Sequence, residues 1–216
     1  MSLIVWLEDN DYEFPPVDQA LEEPDGLLAA GGLLTPEILL KAYRHGAFPW
    51  YSEGQPVLWW SPDPRCVLFP EKLKISRSLR KTLKRQPFTV RQDTAFRDVM
   101  RNCAKPRKYA DGTWITDEMV LAYSQMHELG YAHSIECWQD DRLVGGLYGI
   151  ALGDMFFGES MFSDETDASK VALEYLCNTV KPKLIDVQVY SEHMESLGAE
   201  MIPRSRFIKL LARYCG

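Results

Sequence analysis

The stretch from Gly145 to Ser169, GGLYGIALGDMFFGESMFSDETDAS, constrains this chain more than any other. Leu143 to Ala151 is apolar and small, Leu152-Gly153-Asp154 favours a turn, and Met155 to Phe162 is rich in aromatics. That order predicts strand, tight turn, strand, loop and helix start. Alternation in the second strand puts Met155, Phe157, Glu159 and Met161 on one face and Phe156, Gly158, Ser160 and Phe162 on the other. Glu159 is the anomaly. A carboxylate in so apolar a strand has to be paired, hydrogen-bonded or facing a cavity, because burying it bare is costly. Two readings stand: an edge-strand acid in solvent, or a carboxylate in a pocket walled by Phe and Met. Gly158 beside it would let a ligand or another backbone come close.

The rest of the chain has to supply a core for this hairpin. At 216 residues and 46 % apolar it can do so, as one domain or as a small one plus a larger one. No run approaches the ~20 apolar residues of a membrane span. The first residues have no basic segment and soon turn acidic, so no signal peptide is expected. The cysteines (66, 103, 137, 177 and 215) are odd in number and widely spaced. That pattern predicts neither a disulfide framework nor a zinc site and suits a reducing cytoplasm.

Charge is segregated. Lys72 to Lys108 holds 13 Lys and Arg against two acids, so it carries +11 in a chain of net charge −7. Ser76 to Arg85 within it reads as a helix, with Ile75, Leu79 and Leu83 on one face. Arg77, Arg80, Lys81, Lys84 and Arg85 fill the remainder without acids to pair them. Phosphate is the natural counterion for such a face, and a solvated basic helix is the plainer alternative.

Residues 1–66 are rich in Pro, Trp and Gly, with four of the six tryptophans in the first 60 residues. Such rings serve as core or as a platform on which a base stacks. Thr35 with Pro36 signals a helix start, with Leu39, Leu40 and Tyr43 on its apolar face. From residue 67 the elements read β-α-β-α-α-β-β-β-α-β-α, an α+β order around one mixed, largely antiparallel sheet, similar to the GNAT acyltransferase fold. In the late strand Leu-Ile-Asp-Val-Gln-Val, Asp186 and Gln188 share the polar face, roughly 7 Å apart. With Glu159 on a neighbouring strand, three polar groups would converge over an apolar pocket, a default small-ligand site; the alternative is ordinary polarity on a half-exposed sheet. His45, His127, His133 and His193 are scattered and read as structural.

The residues then carry a resemblance. Phe48-Pro49-Trp50, Trp59-Trp60-Ser61-Pro62-Asp63-Pro64-Arg65, Ile75-Ser76-Arg77-Ser78, Gly112-Thr113-Trp114-Ile115-Thr116, Ala132-His133-Ser134-Ile135-Glu136, Phe157-Gly158-Glu159-Ser160-Met161 and Ile185-Asp186-Val187-Gln188 stand in one order. Together they resemble the bacterial leucyl/phenylalanyl-tRNA-protein transferase family, over about Phe14 to Arg206. The resemblance implies a small N-terminal α/β module over 1–66 and a GNAT-like (acyl-CoA N-acyltransferase-like) catalytic domain over 67–216. It implies an aminoacyltransferase that moves Leu or Phe, and less well Met, from aminoacyl-tRNA to the N-terminal Arg or Lys of proteins. That marks them for degradation by the N-degron route, with no metal and no coenzyme.

On that resemblance Asp186 and Gln188 form the catalytic pair, Asp186 polarising Gln188, whose carbonyl oxygen draws on the amine. Glu159 sits near the amino group. The aminoacyl side chain occupies Leu147, Phe156, Gly158, Met161, Leu173, Leu176 and Ile185. Trp50 and Trp114 stack on the terminal adenosine, and Arg77, Arg80, Lys81, Lys84 and Arg85 meet acceptor-stem phosphates without reading sequence. A cytoplasmic monomer is expected. Relatives can carry an aromatic where Leu176 stands and Asn where Ser191 stands. Two other readings compete. An acetyl-CoA-dependent GNAT enzyme would need a pyrophosphate loop where this chain has the acidic Ser163-Asp164-Glu165-Thr166-Asp167. A non-catalytic RNA-binding module would need no Glu159/Asp186/Gln188 constellation.

Overall fold

The computed structural model describes residues 4–9, 13–105 and 115–215. Two sheets organise them. The first is built from β1 (Val5–Leu7), β2 (Leu27–Gly31), β3 (Phe48–Pro49) and β4 (Leu58–Trp60), in the order β1-β2-β4-β3. Helix α1 (Pro36–His45) packs on it. Thr35 caps α1 by accepting from the Ile38 amide, Pro36 opens it where no amide is needed, and Gly46 closes it in the left-handed conformation.

The larger sheet runs β11-β5-β10-β9-β8-β7-β6. Its strands are β5 (Arg65–Leu68), β6 (Thr89–Gln92), β7 (Ala132–Gln139), β8 (Arg142–Leu152), β9 (Met155–Ser163), β10 (Leu184–Gln188) and β11 (Glu200–Ile202). Helices α2 (Arg77–Arg85), α3 (Phe96–Cys103), α4 (Asp117–Glu128), α5 (Ala168–Tyr175), α6 (Glu192–Ser196) and α7 (Arg204–Cys215) complete the described elements. Apolar residues cover both faces. Val99, Met100, Tyr123, Phe157 and Phe207 belong to one core, and Leu79, Leu147, Phe156, Leu173 and Ile185 to the other. The α+β class and the largely antiparallel sheet agree with the reading from sequence. Within this larger sheet a single described pair, β9 with β10, is parallel.

That parallel pair makes the site possible. Its register runs from Leu184↔Met155 to Asp186↔Phe157 and stops. Beyond it each strand departs from regular geometry. In β9, Tyr148 opposes Ser160 and Gly149 opposes Gly158, so Glu159 is an extra residue, a β-bulge. In β10 the register slips between Asp186 and Gln188, and Gln188 takes φ 66. The strands splay, and a cavity opens in the gap.

The bulge corrects the expected alternation. Phe156 and Met161 lie in one core while Met155, Phe157 and Phe162 lie in the other, so the faces change parity at Glu159. Gly149 permits this. A Cβ there would sit 2.1 Å from the Phe157 carbonyl oxygen and 2.6 Å from the Phe156 ring.

Three local features complete the frame. The carboxylate of Glu136, on β7, accepts from the amides of Thr94 and Ala95, so α3 begins after Ala95 with an acid from another element at its end. Asp167 does not cap α5 with its side chain, which instead accepts from Lys170 and Thr82. Helix α5 is α-helical to Tyr175 and widens into a π turn over Leu176–Val180.

Candidate active site

The cavity between the splayed strands holds about 400 Å³. Leu147, Phe156, Gly158, Met161, Leu173, Leu176 and Ile185 all line it, from β8, β9, α5, its π turn and β10. The side-chain positions expected from sequence are thus brought together. Phe48, Pro49 and Trp50 form one part of the rim, and Val189, Ser191, His193 and Met194 another. Trp50 is exposed, with its ring centroid 5.8 Å from that of Trp60, whose Nε1 donates to the Trp50 carbonyl at 2.6 Å. Trp114 lies outside the described residues.

Glu159, Tyr148, Asp186 and Gln188 supply the polar wall. Glu159 is half-buried and is held from three elements. Tyr43 Oη on α1 donates to Oε1 at 2.7 Å, Tyr123 Oη on α4 donates to Oε2 at 3.0 Å, and Gln188 Nε2 donates to Oε1 at 3.0 Å. All three donors are neutral. Burial pushes the Glu159 carboxyl up to about 7, against the downward pull of these hydrogen bonds and with a further push from the Asp186 charge. Burial likewise holds the hydroxyls of Tyr43, Tyr123 and Tyr148 far above the usual phenol range, so they remain protonated.

Asp186 occupies a different place from the one expected. Its two oxygens accept from Arg65, Nε to Oδ1 at 2.9 Å and Nη2 to Oδ2 at 2.7 Å, and both side chains are buried. The Arg65 guanidinium lies between the rings of Phe48 and Phe207, 4.7 and 4.5 Å from their centroids, and also donates to the Gly46 carbonyl at 3.2 Å. Oδ1 of Asp186 further accepts from the backbone amide of Gln188 at 3.0 Å. Asp186 therefore reaches Gln188 through its main chain, and the carboxylate beside the Gln188 carboxamide is Glu159. The left-handed backbone of Gln188 causes this: it turns the residue out of the strand's pleat.

The five cations of α2 are all exposed, and none forms an ion pair with a described residue. Ser76 caps the helix, Leu79 anchors it in the core, and Thr82 ties it to Asp167 at the start of α5.

A family model described as leucyl/phenylalanyl-tRNA protein transferase matches residues 67–212, and one described as the N-terminal domain of the same transferase matches residues 32–63. The chain belongs to this transferase family. It is 57 % identical to the leucyl/phenylalanyl-tRNA–protein transferase of Stutzerimonas stutzeri, over 98 % of this chain and 95 % of that one. Against the transferase of Aromatoleum aromaticum the identity is 60 %, over 98 % and 90 %. Against that of Pseudomonas aeruginosa it is 55 %, over 98 % and 95 %. Among solved structures, a GCN5-related N-acetyltransferase from Kribbella flavida overlays 80 % of this chain and 61 % of that one, with TM-score 0.37 and 10 % identity.

In this member of the transferase family three residues at the candidate site carry no site role by sequence alone: Arg65, Tyr43 and Tyr123. An arginine opening the apolar strand Arg-Cys-Val-Leu was a usable signal, because a buried guanidinium needs a carboxylate. Tyr43 was legible only as part of an apolar helix face. Tyr123 gave no signal, since nothing local distinguishes it from a core tyrosine.

Proposed function

We propose that this protein transfers leucyl or phenylalanyl groups, and methionyl less well, from aminoacyl-tRNA to the N-terminal Arg or Lys of proteins, marking them for degradation. One observation carries this reading within the family. A cavity of about 400 Å³, inside the ordinary small-ligand range of about 300 to 1,000 Å³, is apolar at its floor and has Glu159 and Gln188 on its wall. That suits an unbranched apolar side chain carrying a reactive ester.

The ester is already activated, so the protein has to align an amine with it and manage a proton. In this reading Leu147, Phe156, Gly158, Met161, Leu173, Leu176 and Ile185 receive the aminoacyl side chain. Gln188 commits its amide nitrogen to Glu159 and offers its carbonyl oxygen to the amine. Asp186, braced by Arg65, fixes the backbone of Gln188. Trp50, with Trp114, stacks on the terminal adenosine. Arg77, Arg80, Lys81, Lys84 and Arg85 take the acceptor-stem phosphates. The acidic remainder of the chain suits an acceptor with a cationic first residue.

The same proposal includes a cytoplasmic monomer of two units, 1–66 and 67–216, with the seam running through β5. The free cysteines suit that compartment, and among the described residues no helix is long and apolar enough to cross a membrane. The test uses Leu-tRNA labelled in the amino acid and two peptides that differ only in N-terminal Arg or Ala. Label moves to the Arg peptide alone if the reading holds; transfer to neither, with acetyl-CoA consumed instead, overturns it.

A further inference from the structure

Three oxygen-bearing groups from three elements meet behind the cavity wall. Besides their bonds to Glu159, the hydroxyls of Tyr43 and Tyr123 lie 2.5 Å from each other. The oxygens therefore form a closed ring: Glu159 Oε1 to Tyr43, Tyr43 to Tyr123, Tyr123 to Glu159 Oε2. Each hydroxyl carries one proton, so two tyrosines bring two protons to three contacts. When Glu159 is ionised, one contact holds no proton. When Glu159 is protonated each contact holds one, running from the carboxyl Oε2 to Tyr123, from Tyr123 to Tyr43 and from Tyr43 back to Oε1 of the same carboxyl group. Either tyrosine alone, as a donor, favours the ionised acid. When both donate to it, each to its own oxygen, the contact between the two hydroxyls is the one left without a proton.

The other groups facing Glu159 do not supply the missing charge. Tyr148 on β8 is neutral, Gln188 on β10 is neutral, and Asp186 on β10 is negative, with Arg65 on β5 directed at Asp186. His193 is at the cavity rim.

We propose that Glu159 takes the proton of the attacking amine, and that Tyr43 and Tyr123 position it for this task by each donating a hydrogen bond to one oxygen of its carboxylate. The step balances within the reaction. The uncharged α-amine attacks the ester carbonyl carbon, forming the new C–N bond. One N–H proton passes to the Glu159 carboxylate. The ester C–O bond breaks, its electron pair leaves on the ribose oxygen, and Glu159 returns the proton to that oxygen. Glu159 is the catalytic residue here, while Tyr43 and Tyr123 act through it. Because Tyr43 lies on α1, the N-terminal sheet and its helix complete the proton site. The inference rests on the proposed placement of the reacting ester in this cavity.

The experiment measures kcat/KM for labelled Leu-tRNA and an Arg peptide from pH 5.5 to 8.5, for the native protein and for Tyr43→Phe, Tyr123→Phe and Glu159→Gln. Thermal melts establish that each variant is folded, and carboxyl NMR of protein labelled with ¹³C-glutamate follows Glu159 directly. The native profile has an acid limb near 7 beside the limb of the peptide amine at about 8. Glu159→Gln loses on the order of 10² in kcat and keeps only the amine limb. Either Tyr→Phe variant removes a donor to the carboxylate and moves the Glu159 limb, and its NMR titration, up by about one pH unit.

An unchanged titration in both Tyr→Phe variants would mean that the tyrosines are only packing. A downward move would mean that they favour the protonated acid and do not hold the carboxylate ready for the proton. Glu159→Gln within a few-fold of native would remove Glu159 as the acceptor. Each of these overturns the inference. Failure of the native protein to transfer to the Arg peptide counts against the proposed function instead, and the NMR titration still reads the ring.

Discussion

Arg65 holds both carboxylate oxygens of Asp186, at 2.9 and 2.7 Å, with neither side chain open to solvent. The pair ties β5 to β10 at the point where β10 leaves its regular path. Its guanidinium is also stacked between Phe48 from the N-terminal sheet and Phe207 from the last helix. One side chain thus joins three parts of the molecule behind Gln188.

Removing Arg65 should therefore damage both stability and transfer, although Arg65 does not line the cavity. Arg65→Met leaves a buried carboxylate uncompensated, a loss of about 3–5 kcal/mol. At roughly 2–4 °C per kcal/mol for a chain of this size, Tm should fall by roughly 10 °C. Arg65→Lys keeps the charge but not the fork and should recover only part of both. Thermal melts and single-turnover transfer of the folded fraction check this.

Stability should carry the signature of Glu159. Its folded value of about 7 lies above the ordinary carboxylate value, so the folded state holds a proton that the unfolded state releases sooner. The sign follows: stability from this group is present at low pH and is lost as pH rises from about 4.5 to 7, by on the order of 3 kcal/mol. Glu159→Gln should gain on the native protein across that window and hold a constant difference above it. Denaturant melts at pH 5, 6, 7 and 8 read the difference.

His133 works in the opposite part of the range. Its hydrogen bond to Asp93, 2.8 Å from Nδ1 to Oδ2, raises it above the usual imidazole value. That bond's contribution is complete below about pH 6.5 and is lost as pH rises through the raised value. Asp93→Asn should remove this dependence, and the melts of the two proteins should converge above pH 8.

Leu176 should set side-chain preference, since it lines the cavity from the π turn after α5. Leu176→Phe narrows the space and should lower transfer of Phe relative to Leu by roughly 10- to 100-fold, the usual range for a misfit of one or two methylene volumes. Leu176→Ala should move the ratio the other way. Competition between Phe-tRNA and Leu-tRNA in one reaction gives the ratio without active-site titration.

Charge reversal on α2 should change salt dependence more than specificity. Arg80→Glu with Lys84→Glu should weaken binding of any aminoacyl-tRNA alike and lower the slope of log KM against log salt by about 1 to 2. An unaltered slope would move the phosphate contacts off this helix.

What was legible in the sequence follows from how local each signal is. The strands and caps rest on nearest neighbours, and β8, β9, α1 and α2 stand within a few residues of where alternation, Thr35 and Ser76 put them. The apolar cavity was legible through family motifs, but the faces of β9 were not, because a bulge is set by the partner strand and Gly149. The roles of Asp186 and Gln188 depended on a left-handed residue and on Arg65, more than a hundred residues away. Period-2 reasoning contains neither. The ring of Tyr43, Tyr123 and Glu159 brings together three separate elements, and no local rule relates them.

The bulge in β9 also has a meaning for how such a sheet acquires chemistry. Phe156 and Met161 share one core, as Phe157 and Phe162 share the other, at a spacing of five that no regular strand allows. Delete Glu159 and the spacing becomes four. The pleat would then be unbroken, and both apolar faces would align without further change. An acid is thus held inside a greasy sheet by addition: the one residue outside the ladder carries the carboxylate, and its neighbours on either side keep their apolar faces in the two cores.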